Sequence, residues 1–380
     1  MSTMRSGPAA VPARAAGAAW RLRPAGPADF AAIAEIRNAC RRAEGKPAAD
    51  DEASVAAAWE EPGCDLARDG VVAELADGTV VGYDEAFDRG SRVVFDCWGA
   101  DVLPEARGRG IEDALLAWVE RRTAERARRL PPGTEVRLQT TKPDPAPGPV
   151  REALERAGFR PLHGFLMMRA PLRDAPAAAR WPAGIVVETL RPGGSAQERE
   201  LWQARTDSFA DHWGAKPPDP VLALARFRHE VSQPDFDRSL MWAARAGSGE
   251  VAGICFCRGS FRGDESVAYV AHLGVVPAWR KRGLARALLR HAMAGLRERG
   301  RTAAVLGVDA DHPTGAVGLY RSEGFRETGR TAAWGKLLRA GGPEEAGGPE
   351  AAAGEAAPGA AADVPAPMDS PAVTGKGEAT

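Results

Sequence analysis

Apolar residues three and four positions apart mark two segments, 110–128 and 283–298, as amphipathic helices. Ahead of each lie short runs rich in β-branched and aromatic residues: VVAEL, TVVGYDEAF and RVVFDCWGADV in the first half, LMWAARA, EVAGICFCRG and SVAYVAHLGVV in the second. These read as strands of antiparallel type. Behind each helix come another strand (TEVRLQT; TAAVLGV), a helix ending at Gly158 or Gly324, and closing strands. Each half also opens with a short strand that leads into one or two helices. The mixture predicts an α+β fold, each half a mixed, mostly antiparallel sheet flanked by helices.

The pattern occurs twice because the sequence repeats itself. Trp20-Arg21-Leu22-Arg23-Pro24 matches Glu188-Thr189-Leu190-Arg191-Pro192, VLPEARGRGIEDALLAWVE (102–120) matches VVPAWRKRGLARALLRHAM (275–293), and EALERAGF (152–159) matches GLYRSEGF (318–325). The offsets, 168, 173 and 166 residues, are nearly constant and the landmarks keep one order, which indicates tandem duplication of a single domain. The expected domains are 19–172 and 185–340, joined by the Pro/Ala-rich linker RDAPAAARWPAG (173–184). Segments 1–18 and 341–380 are Ala/Gly/Pro-rich without aromatic residues and are expected to be disordered.

Composition narrows the class. A chain of 380 residues with 44% hydrophobic and 27% charged residues is of ordinary globular type. A net charge of −1 speaks against a dedicated nucleic-acid binder. The basic run RRTAERARRL (121–130) has glutamates interleaved on its helix and reads as a solvated face. No apolar run reaches the roughly 18 residues of a membrane span. The N-terminal stretch lacks a leucine-rich segment, so the default location is cytoplasmic. Five cysteines, an odd number, make no disulfide framework, and Cys255 and Cys257, flanking Phe256, read as small buried side chains. No metal is expected: Asp309-x-Asp311-His312 reads as a turn capping the next helix, with Pro313 in its first position.

The chemistry concentrates in LGVVPAWRKRGLARALL (273–289), where a strand runs through an Arg-x-x-Gly-x-Ala loop into a helix. Backbone N–H groups at a helix start lack internal partners, and the helix dipole adds positive charge, so an anion binds there. Gly283 allows close approach of a phosphate, Ala285 keeps the first turn slim, and Arg280, Lys281, Arg282 and Arg286 add cationic charge. His272, in the preceding strand, titrates in the range useful to a base and shares strand parity with Gly274 rather than Leu273. Glu265 and Asp309 are rivals for that role.

Together with Ala316-x-x-Leu319-Tyr320-x-x-x-Gly324-Phe325 one strand later, this element resembles the GCN5-related N-acetyltransferases (GNAT). The tandem arrangement over roughly 19–340 is similar to the double-GNAT proteins, mycothiol synthase among them, and FADHWG (209–214) is similar to their acceptor-side region. The resemblance implies acetyl transfer from acetyl-CoA to a small-molecule amine, by direct attack in a ternary complex. It places strand backbone at Leu273, Gly274 and Val275 on the pantetheine arm, the loop from Arg280 through Lys281, Arg282, Gly283, Leu284 and Ala285 to Arg286 on the pyrophosphate, and Tyr320 as general acid. The role suits a phenol, since thiol and phenol pKa values, about 8.5 and 10, are close enough for proton donation. Mycothiol synthesis itself, or a non-catalytic acetyl-CoA sensor or scaffold, stands as the alternative.

The first half departs from the motif at two positions. Glu112 stands where Ala285 stands in the second half, and Leu154 where Tyr320 stands. A carboxylate is favourable at a helix start and can occupy the anion's place itself. The first domain is therefore expected to be degenerate and the second active.

Overall fold

A computed structural model describes residues 19–341 except 47, 89–92, 174–175, 192–193, 214–218, 234–235 and 311–314. Segment 1–18, the tail from 342 and the proposed turn at Asp311, His312 and Pro313 lie outside the described residues. The chain folds into two compact units, one from residues 19–140, 146–161 and 334–341, the other from 141–145 and 162–333.

The first unit runs β1 (Trp20–Pro24), α1 (Phe30–Ala43), α2 (Glu52–Trp59), α3 (Leu66–Asp69), β2 (Gly70–Leu75), β3 (Val80–Glu85), β4 (Phe87–Asp88), β5 (Val94–Asp96), β6 (Asp101–Val102), α4 (Ile111–Ala127), β7 (Val136–Pro143), α5 (Gly148–Arg156) and the first residues of β8 (Arg160–Pro171). One antiparallel sheet has the order β1-β2-β3-β6, and β5 pairs in parallel with β7. The apolar stripe of α1 (Ile33, Ala34, Ile36, Cys40) packs against Val72 and Tyr83. A reciprocal cap starts α2: Ser54 N–H donates to Asp51 Oδ1 (2.8 Å) and Asp51 N–H to Ser54 Oγ (2.9 Å). Arg122 and Arg126, in the basic run on α4, are tied to Asp69 at 2.8 and 3.1 Å.

Buried in this unit, Tyr83 donates a short hydrogen bond to the Glu85 carboxylate, and the Trp59 indole N–H donates to the Tyr83 oxygen at 3.2 Å. Burial outweighs these contacts and pushes the Glu85 carboxyl above its ordinary range. A carboxyl that holds its proton more tightly folded than unfolded makes stability fall as pH rises through its folded value. Urea unfolding at a series of pH values should therefore show this decline in the wild type and a shallower one in Glu85→Gln, which keeps an acceptor for Tyr83 but cannot ionise. Parallel profiles would remove Glu85 as the source.

The second unit takes the rest of β8, then β9 (Val186–Thr189), α6 (Ser195–Ser208), α7 (Pro220–Ser232), β10 (Met241–Arg245), β11 (Val251–Arg258), β12 (Val267–Val275), α8 (Leu284–Glu298), β13 (Ala303–Asp309), α9 (Ala316–Ser322) and β14 (Arg326–Arg339) as far as residue 333. Its strand order is β14-β8-β13-β12-β11-β10-β9. One sheet face is covered by α8, whose Leu284, Leu288, Leu289, Ala292 and Leu296 recur at helical spacing and are buried against Cys255, Cys257, Ala268 and Val270. The other face is covered by α6, whose Leu201, Trp202 and Ala204 meet Ile254 and Phe256. Cys255 and Cys257 are both buried, with sulfurs 4.0 Å apart. No described helix is long and apolar enough to cross a membrane.

Boundaries drawn at 172 and 185 follow chain order, whereas the units follow space. Residues 165–171 of β8 pair antiparallel with β13 inside the second unit. Residues 334–341 belong to the first, where Lys336 donates to the Ala157 carbonyl (2.9 Å) and Arg339 to those of Thr134 (2.7 Å) and Ala127 (3.0 Å).

Candidate active site in the second unit

In the second unit β12 pairs with β13 only from Val267 to Tyr269, opposite Ala303 to Val305. Farther along, a cleft of about 310 Å³ lies between the two strands, walled by Leu273, Gly274 and Val275 on one and Leu306, Gly307 and Val308 on the other. A bulge sets this up. Phe256 of β11 faces His272 while Cys257 faces Val270, leaving Ala271 as the extra residue.

The cleft's anion end is the loop before α8. Lys281 and Gly283 both hold left-handed backbone, φ 61° and 80°, and α8 starts at Leu284. At Lys281 this conformation costs about 1–2 kcal/mol, and the first half has Gly108 (φ 73°) in its place. The turn leaves successive N–H groups at a helix start without partners within the helix, a concavity suited to an anion. A Cβ at Gly283 would meet no atom within 4 Å, so its glycine answers to backbone conformation rather than crowding.

The arginines around the loop are largely engaged. Arg280 forms a two-pronged ion pair with Asp211, and its Nε and Nη2 donate to the carbonyls of Val275 and Ser208, each at 3.1 Å. That contact holds the Asp211 carboxyl below its usual range. Arg286 pairs with Glu323 at 3.0 Å, and Arg282 stacks 4.6 Å above the Trp279 ring. Arg280 thus braces the end of α6 against the loop.

Tyr320 lines the cleft from α9. The helix stops at once behind it: Gly324 takes positive φ (91°) and the Phe325 N–H donates to the Tyr320 carbonyl at 3.0 Å. Burial above all, then Cys255 and Tyr269, pushes the phenol's pKa up, so it keeps its proton through the neutral range.

Of the residues singled out from sequence, Leu273, Gly274, Val275, Arg280, Lys281, Gly283, Leu284, Ala285, Arg286 and Tyr320 all line this one cleft. Arg282 and His272 are not among its lining residues; the His272 ring sits edge-on to Phe209 (5.9 Å) and Phe256 (6.0 Å). Glu265 is exposed at the far start of β12. Asp309 is buried, its carboxylate 2.7 Å from His163 Nε2, and His163 stacks on Trp213 at 4.7 Å. Ser208, Phe209, His212 and Tyr269 also line the cleft and were not singled out, apart from the run beginning at Phe209. Sequence carries no signal for either Tyr269 or Ser208: strand parity groups Tyr269 with the core residue Val267, and a lone serine at a helix end looks like any other.

The corresponding loop of the first unit has the same brace and a different occupant. Arg107 Nε donates to the Val102 carbonyl at 3.1 Å, the counterpart of Arg280 and Val275. The Gly108 N–H, by contrast, donates to Glu112 Oε1 at 3.1 Å. Glu112 is buried, and Leu154 is fully buried.

A strand splay, a loop at a helix start and a tyrosine on the next helix are the parts of an acyl-transfer fold. The profile of the acetyltransferase (GNAT) family matches residues 199–325. A mycothiol acetyltransferase from Geodermatophilus obscurus is 30% identical over 319 residues, 83% of this chain and 95% of that protein. Another, from Catenulispora acidiphila, is 30% identical over 228 residues, 59% of this chain and 67% of the relative. Among solved structures, a GCN5-related N-acetyltransferase from Sphaerobacter thermophilus superposes with a TM-score of 0.68 at 28% identity, covering 85% of this chain and 96% of that one. A tandem GNAT protein from the clavulanic acid biosynthesis pathway shares the fold, with a TM-score of 0.61 at 17% identity over 85% of this chain and 100% of that one. The chain belongs to the acetyltransferase (GNAT) family, in its tandem form. It is an N-acetyltransferase by class.

Proposed function

We propose that the second unit binds acetyl-CoA in the cleft and passes its acetyl group directly to the amine of a small molecule. The observation that supports this most is convergence: one cleft holds the anion loop, the splayed edge of β12 and a protonated, buried Tyr320. In the proposed reaction, a neutral amine attacks the thioester carbon and the C–S bond breaks. The sulfur takes the Tyr320 proton, the nitrogen releases one to solvent, and Tyr320 regains its proton from solvent before the next turnover. His272, not lining the cleft, would serve as base only through water. With Arg280 and Arg286 engaged by carboxylates, the pyrophosphate would rest chiefly on the loop's N–H groups from Lys281 to Ala285.

The first unit, in this reading, binds no acetyl-CoA, because Glu112 already occupies the loop N–H that an anion would take and Leu154 offers no proton. Calorimetric titration of the whole chain should return one acetyl-CoA site. Two sites of similar affinity would overturn the division of labour, and none would overturn the assignment.

For the acceptor, the 95% coverage of a mycothiol acetyltransferase favours the acceptor of those enzymes. Release of free thiol from acetyl-CoA, followed with mycothiol precursor, polyamines, aminoglycosides, amino acids and peptide N-termini, separates it from other amines. Turnover with none of them would favour a sensor or scaffold.

A further inference from the structure

We infer that Ser208, the last residue of α6, is a ligand-binding residue whose hydroxyl donates a hydrogen bond to an amide carbonyl of the acyl-CoA arm. The inference rests on acetyl-CoA occupying the cleft as proposed above. Ser208 is 2% exposed, and its Oγ has no hydrogen-bond partner among the described residues, yet the residue lines the cleft. Buried hydroxyls are nearly always paired, so an orphan in a cleft wall points to a partner that arrives with the ligand. The ordinary local remedy, donation to the carbonyl one helical turn back, is not taken, although Thr206 of the same helix donates to the Trp202 carbonyl at 3.0 Å.

Two contacts hold the serine there. A Cβ at Gly274 would come within 2.6 Å of Ser208 Cβ and 3.0 Å of its Oγ, so the glycine lets the helix end sit directly on β12. The Ser208 carbonyl accepts from Arg280. Gly274 lies three residues past the bulge at Ala271, about 10 Å along the strand. Along β12 the serine thus meets Gly274, between Tyr269, which acts on Tyr320, and Val275, whose carbonyl accepts from Arg280 of the anion loop. That is the stretch an acyl-CoA spans with its amide-bearing arm.

The first half shows what becomes of this position without the task. Its counterpart is Cys40, at the 168-residue offset that also relates Arg23 to Arg191. Cys40 Sγ accepts from Arg107 Nη2 at 3.3 Å and donates to the Val102 carbonyl at 3.4 Å. There the side chain is spent on the brace. In the second unit Asp211 takes the arginine, and the serine hydroxyl is left over.

Ser208→Ala removes only the oxygen and puts a good helix former at the site, so the variant should fold. Three quantities test the inference by calorimetry and thermal unfolding: affinity for acetyl-CoA, affinity for its nucleotide half cut after the diphosphate, and the Tm of the free protein. Affinity for acetyl-CoA should fall about tenfold, the scale of one hydrogen bond. Affinity for the nucleotide half should not change, and the free protein's Tm should stay level or rise, since an unpaired buried hydroxyl is gone. Unchanged acetyl-CoA affinity would overturn the inference. So would an equal loss for both ligands with a lower Tm, which would make Ser208 a structural prop. Failure of the wild type to bind acetyl-CoA would show in the first titration and would sink the functional reading along with it.

Discussion

Tyr320→Phe should lower turnover by about 10²–10⁴-fold, the usual worth of a general acid, with acetyl-CoA affinity nearly unchanged. The ring fills the same space against Phe325, 5.8 Å between centroids, so packing is kept and only the hydroxyl goes. A thiolate then leaves without a proton donor beside it. Because burial holds the phenol protonated well past neutrality, the wild type should show no activity loss from Tyr320 ionisation across the neutral range. Acetyl-CoA affinity by calorimetry and single-turnover rates separate binding from chemistry. Equal single-turnover rates would reduce Tyr320 to packing.

Ala285→Glu should weaken acetyl-CoA binding by about 100-fold or more while the protein stays folded. The substitution copies Glu112 onto the equivalent position of the second half, and the first half shows where the new carboxylate goes: onto the N–H at the position of Gly108, here Lys281. It would take an anion's donor and add a like charge worth about 3 kcal/mol at about 5 Å. A carboxylate in the first turn of a helix is itself favourable, so the free protein should lose no stability. The acetyl-CoA-induced rise in Tm is the readout. A rise equal to the wild type's would mean that the anion does not sit on this loop.

Much of this was readable from sequence, for a physical reason that differs by element. The helix α8 announces itself through the spacing of Leu284, Leu288, Ala292 and Leu296, which only a helix gathers on one side. The loop is legible because Gly283 must be glycine-like in backbone, and Tyr320 because Gly324 and Phe325 close its helix behind it. Contacts between distant positions left no local mark. Asp211 meets Arg280 across 69 residues, and nothing in its own stretch, FADHWG, names a distant arginine as its partner. Ser208 is defined by what it lacks, a property of three-dimensional surroundings alone. The withdrawal of His272 from the cleft wall also had no trace, since parity places it on a face without saying what else packs there.

The exchange of closing strands also decides where this protein can be cut. A break within 173–184 looks harmless on paper, yet each fragment would carry off a piece that the other's unit contains: 162–171 would go with the first fragment and 334–341 with the second. A fragment 185–340 made alone would present β13 with an open edge in place of β8. The two halves are in this sense not cassettes. Recombination that shuffled one for a relative's copy at the linker would trade mismatched strands as well, and fragments split there should regain structure only when mixed.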